Sequence, residues 1–118
     1  MLHRLSGSDI FSRRIVSRRA LRSFVESPKG QKGGAALKAG LDAWYHEVSK
    51  ANWLSSADIK KRYAHASIVN SQRVVFNIKG NDYRLITAVD FQRGTVWIKW
   101  IGTHRDYNDI DAATVEYE

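Results

Sequence analysis

From Arg73 onward the spacing of apolar residues changes from helical to a period of two, and this change constrains the fold more than any other feature of the chain. Val74, Phe76 and Ile78 alternate with Arg73, Val75, Asn77 and Lys79. Tyr83 to Phe91 and Thr95 to Ile101 follow, both rich in the β-branched and aromatic residues that pack well on a pleated surface. The pattern predicts three antiparallel strands joined by tight turns. A period of two sends successive side chains to opposite faces, so one face of such a sheet is core and the other polar.

Upstream the spacing is helical. Ile15-Val16 reads as a short strand, and Arg18 to Val25 as a helix with Leu21, Phe24 and Val25 on one face. Pro28, Gly30, Gly33 and Gly34 mark Ser27 to Gly34 as a loop. From Ala35 to Ala51, Leu37, Leu41, Trp44, Tyr45 and Val48 fall on one face of a core-facing helix. Ser55 precedes Asp58 by three residues, a variant of the capping box, and opens a short helix ending near Tyr63. Lys60, Lys61 and Arg62 close that helix, where cations suit the dipole. Helices packed on a small antiparallel sheet make the class α+β, and 118 residues suit one domain.

The chain has no cysteine, which excludes disulfides and thiolate-based zinc or nucleophile chemistry. No apolar run approaches the roughly 18 residues of a membrane span, and Met1 to Ser12 lacks the apolar segment of a secretory signal. The expectation is a soluble cytoplasmic protein. Net charge is +7 and lies unevenly: thirteen Lys/Arg against five acids up to His65, then six against seven. Such an excess suits a polyanion, whose condensed counterions Lys and Arg release.

A two-residue turn at Gly80-Asn81 sets Lys79 opposite Asp82 and Asn77 opposite Arg84. If Arg93-Gly94 closes the second hairpin likewise, Arg84 faces Thr103, Ala88 faces Lys99 and Asp90 faces Trp97. Arg73, Asn77, Lys79, Arg84, Trp97 and Lys99 then share one side. Phe76, Ile78, Tyr83, Leu85, Val89, Ile98 and Trp100 share the other. A helical turn after Thr103 brings His104 and Tyr107 to the Arg84 end. A three-residue second turn would move Lys99 across the sheet and leave Asn77 with Arg84.

Metal-free RNA cleavage needs a base for the ribose 2′-OH, cations for the phosphorane and an acid for the 5′-oxygen. An imidazole such as that of His104 transfers protons near neutral pH. Arg84 can grip two phosphate oxygens, Lys79 or Lys99 can add charge, and Tyr107 can orient the 2′-OH or stack a base. Each has a structural alternative: His104 as a solvated or capping residue, Arg84 as the partner of a carboxylate, Tyr107 as a core residue with a wet hydroxyl. Trp97 and Trp100 are most simply packing residues. Asp106, Asp109 and Asp111 read as an acidic helix start, with no metal site. Gly30-Gln31-Lys32-Gly33 has the form of a nucleic-acid-clamping loop without the flanks of that module, and no P-loop follows it.

Leu41-Asp42-Ala43-Trp44-Tyr45, Ala57 to Tyr63, Arg73 to Leu85 and Ile101 to His104 with Tyr107 together resemble the HigB-like toxins of type II toxin-antitoxin systems, within the RelE-like superfamily of mRNA interferases. The resemblance implies a RelE-like, microbial-ribonuclease-type fold that cleaves mRNA in the ribosomal 30S A site without a metal or other cofactor, inhibiting translation. It also implies a HigA-like helix-turn-helix antitoxin, with operator DNA engaged only through the complex and no membrane. By position it makes Arg84, His104, Tyr107, Lys79 and Lys99 catalytic, with Asn77, Arg73, Lys60, Lys61 and Arg62 on RNA. Residues 1–12 look like an extension ahead of a single toxin domain, 13–118. Alternatives are a non-catalytic RNA- or ribosome-binding module and a degenerate toxin kept for antitoxin binding.

Overall fold

The computed structural model describes residues 14–117; the expected extension, residues 1–12, lies outside them. In chain order the elements are β1 (Arg14–Val16), α1 (Arg18–Glu26), α2 (Pro28–Lys50), α3 (Ser56–Arg62), β2 (Ser67–Ile68), β3 (Arg73–Ile78), β4 (Tyr83–Asp90), β5 (Thr95–Thr103) and α4 (His104–Tyr107). The sheet runs β1-β5-β4-β3-β2. The three strands expected from the alternation form its centre; the short strand expected at Ile15-Val16 is β1, parallel to β5 at one edge, and β2, antiparallel to β3, is added at the other.

Helices α1, α2 and α3 cover one face of this sheet. Leu21, Leu37, Leu41, Trp44, Val48 and Ile59 meet Val74, Phe76, Ile78, Leu85, Val96 and Ile98 in one buried cluster. Phe76 is its hub: its ring lies 5.4 Å from Trp44 and 5.1 Å from Tyr63, both edge-on, and stacks on Trp53 at 6.2 Å. Such aromatic pairs add about 1 kcal/mol each beyond area burial.

Two upstream expectations change. Residues 28–33 are helical, because Pro28 occupies the first turn, where a missing N–H costs nothing, and the Ser27 hydroxyl accepts from the Gly30 amide at 3.1 Å. The break falls at Gly34 alone, whose φ of 61° and ψ of −151° kink the helix. At α3, Ser55 makes no side-chain capping bond, and the Asp58 carboxylate accepts instead from the Leu54 amide at 2.8 Å.

The first hairpin has the expected register, Asn77 opposite Arg84 and Ile78 opposite Tyr83. Its left-handed residues are Lys79 (φ 53°) and Gly80 (φ 65°), not Gly80 and Asn81. The second hairpin differs. Asp90 pairs with Thr95, Ala88 with Trp97 and Thr87 with Ile98, whereas Ile86 pairs with Trp100 and Arg84 with Gly102. Lys99 is thus the extra residue of a β-bulge, a device that re-aims the residues beyond it. Alternation therefore puts Trp100, expected in the core, on the Arg84 face. Trp97 stays there, in the row Arg73, Ala88, Trp97.

That second face is not a bare polar surface. Val75 and Ile86 point to it and are buried. The segment after α4 lies across part of it, held by Arg73 Nη1, which donates to the carbonyls of Ala112 (3.2 Å) and Val115 (2.7 Å).

Candidate functional site

At the β3-β4 hairpin end of the second face, Arg84 is only 9% exposed. Its Nη1 donates to the carbonyls of Asn81 (3.0 Å) and Tyr83 (3.3 Å), and its Nη2 to Asn81 Oδ1 (2.7 Å). All three acceptors are neutral. The alternative reading of Arg84 as a carboxylate's partner is therefore not what the structure has: among the described residues its cation lacks an anionic partner. A buried cation so placed is costly to keep and strongly attracts an anion. The nearby carboxylate, Asp82, is taken by Lys79 at 2.8 Å, and that bond holds the acid below its usual range and the amine above its own.

Two further residues are held at this end of the sheet. The His104 amide donates to the Asp82 carbonyl at 2.8 Å, which fixes the start of α4 against the hairpin. Thr103 caps that helix, its hydroxyl accepting from the Asp106 amide at 3.1 Å. One turn later Tyr107 brings its ring centre 5.8 Å from the Arg84 guanidinium carbon and 6.4 Å from the Trp100 ring. His104 and Tyr107 are both part-exposed. Trp100 depends on its neighbour: a Cβ at Gly102 would sit 2.3 Å from the indole, so only glycine lets the ring lie there.

Asn77 joins this group as the cross-strand partner of Arg84, and Lys79 as the hairpin residue next along. The other expected residues do not join it. Lys99 and Arg73 share the face but bind Glu116, at 2.7 and 2.8 Å. Lys60 gives its ammonium to the carbonyls of Ala64 and Ala66, both at 2.7 Å. Arg62 pairs with Glu47, and Lys61 stands exposed near Asp58. These three belong to α3, whose Ile59 is in the core cluster on the opposite side of the sheet. Asp106, one of the acids considered for a metal, is paired with Lys29, which lowers its pKa.

Sequence reasoning missed Asn81, Trp100, Gly102 and Glu116. The bulge that places Trp100 leaves no mark in the alternation. Glu116 directly follows the small and apolar segment Ala112 to Val115, and nothing local ties it to Arg73.

A family model of the HigB toxin, described as the RelE-like toxic component of a toxin-antitoxin system, matches residues 37–110. The chain belongs to the HigB toxin family. The match covers α2 from Leu37 onward, the central hairpins and α4, and the helices on a mostly antiparallel five-stranded sheet agree with a RelE-like toxin. No curated protein matches the chain. As a toxin of such a system it has an antitoxin as partner. Among the described residues no helix is long and apolar enough to cross a membrane.

Proposed function

We propose that this HigB-family toxin is an mRNA endoribonuclease that works on the translating ribosome in the cytoplasm, without a metal. The observation that carries the reading is Arg84, a buried cation with only neutral partners, with the Tyr107 ring beside it and His104 starting the helix held against the same hairpin.

In this reading the scissile phosphate meets Arg84, whose guanidinium neutralises the phosphorane while Asn81 and the Tyr107 ring hold its plane. A base takes the 2′-OH proton, O2′ attacks phosphorus, and the 5′-oxygen leaves with a proton, giving a 2′,3′-cyclic phosphate and a 5′-hydroxyl. His104 is assigned the proton transfer, and Tyr107 orients the ribose or stacks a base. Lys79 adds charge at the hairpin edge, and Asn77 holds a neighbouring RNA oxygen. Lys99 and Arg73 contribute to RNA farther along the face, and Lys60, Lys61 and Arg62 to the docking surface of the helical layer. We assign neutralisation to a HigA-like helix-turn-helix antitoxin, which carries the complex to operator DNA.

Brief induction in cells followed by mapping of RNA ends tests the reading. New 5′-hydroxyl ends in translated mRNA, absent on co-expression of the antitoxin, are the expected result. Salt-sensitive RNA binding with no new ends would replace it with the non-catalytic module.

A further inference from the structure

Away from Arg84 the same face opens into a trough of about 690 Å³, lined among others by Gln72, Arg73, Ala88, Trp97, Lys99 and Glu116. Its floor follows from the register. Arg73, Ala88 and Trp97 form one cross-strand row, so a methyl group lies between two long side chains about 10 Å apart. Lys99, the bulge residue, borders the trough on the side toward the Arg84 cluster, four positions before Thr103 on β5.

Trp97 is the unusual element. Trp44, Trp53 and Trp100 each contact an aromatic ring. Among the described residues Trp97 makes no such ring contact, although Phe91 also lines the trough, and it is part-exposed on the trough wall. The face carries aromatic residues Tyr107, Trp100 and Trp97 and cations Arg84, Lys99 and Arg73, with Tyr107 and Trp100 in the Arg84 group and Trp97 in the row of Arg73. Rings for bases interleaved with cations for phosphates are the pattern of a single-strand track.

We propose that this trough is a nucleotide subsite: a base of the RNA strand stacks on Trp97, and Lys99 takes a phosphate in exchange for Glu116. The inference rests on the RNA reading above and extends it from the cut phosphate to a neighbouring residue of the same strand. Glu116 is suited to the exchange because its carboxylate is well exposed, while Lys99 is mostly covered. Arg73, donating to two carbonyls as well as to Glu116, stays in place when the carboxylate leaves. The second acid at the trough, Asp90, accepts from the Arg93 amide and faces its side chain, which limits its repulsion of phosphate.

The test measures binding of a short single-stranded RNA by fluorescence anisotropy, in a His104→Ala background so that the probe stays intact. Trp97→Leu is expected to weaken binding about tenfold, Trp97→Phe to stay within about threefold of the parent, and Glu116→Gln to tighten it about threefold. A Trp97→Leu variant that keeps the parent's circular dichroism and binds RNA equally well overturns the subsite. So does Trp97→Phe binding as weakly as Trp97→Leu, since a ring then fails to rescue. Trp97-dependent binding by a toxin that cuts no RNA supports the subsite and sinks the nuclease reading instead. Cleavage with affinity indifferent to Trp97 does the reverse.

Discussion

Arg84 and Arg73 stand at opposite ends of one sheet face, equally buried at 9% and 8% exposure, and meet different partners. Arg73 is answered by a carboxylate and two carbonyls of the segment after α4. Arg84 is answered by an amide oxygen and two carbonyls, while Asp82 of the same hairpin is committed to Lys79. Burial alone does not distinguish the two arginines, and the charge of their acceptors does: the Arg73 guanidinium is compensated and fastens chain, and that of Arg84 is uncompensated, which under the proposed function suits it to an anion.

The largest expected effect separates the two residues. Arg84→Met should lower cleavage by at least about 100-fold while changing stability by less than about 1 kcal/mol, since an unpaired buried charge is removed. Arg73→Met should lose about 2 kcal/mol through three orphaned acceptors, read as a drop in melting temperature, with cleavage reduced far less. Equal behaviour of the two variants in either assay would break the comparison.

Next comes Gly102→Ala. The added methyl group meets Trp100 and must push it from its place beside Tyr107. Overpacking of this kind costs about 1–3 kcal/mol, and cleavage should fall about tenfold, measured as single-turnover rate alongside thermal melts. An unchanged rate would remove Trp100 and Tyr107 from the framing of Arg84.

The smallest effect is on pH. The Lys99 hydrogen bond, with Arg73 beside it, holds the Glu116 carboxyl below its ordinary 4.5. A depressed folded value means that the docking of this segment is at full strength above pH 4.5 and weakens as pH falls through the lowered value. The hydrogen-exchange protection of Ala112 to Glu116, corrected for the intrinsic rate at each pH, should therefore fall on acidification before that of the central strands. Glu116→Gln should abolish the step, and a step that persists would assign it to other carboxylates.

The two ends also differ in how far sequence could reach them. Asn77 and Arg84 lie within one tight hairpin, so alternation and loop length alone paired them correctly. His104 and Tyr107 followed because α4 starts as soon as β5 ends. The second hairpin defeated the same logic, because a four-residue turn and a bulge at Lys99 keep the parity near Trp97 and reverse it at Trp100. Glu116 lies 43 positions from Arg73. A contact that distant is set by where the chain goes after α4, which no local period encodes. Ser27 to Gly34 failed for a different reason: proline and glycine read as breakers, yet Pro28 at a first turn favours a helix.

Under the proposed function the uncompensated cation of Arg84 and the imidazole of His104 together cut RNA. Cleavage of mRNA on programmed ribosomes by the parent, Arg84→Met and His104→Ala tests it most directly, with each variant's melt recorded. The account predicts 5′-hydroxyl ends from the parent and at least about a 100-fold slower appearance of them from both folded variants. Parent-like rates in both would contradict it.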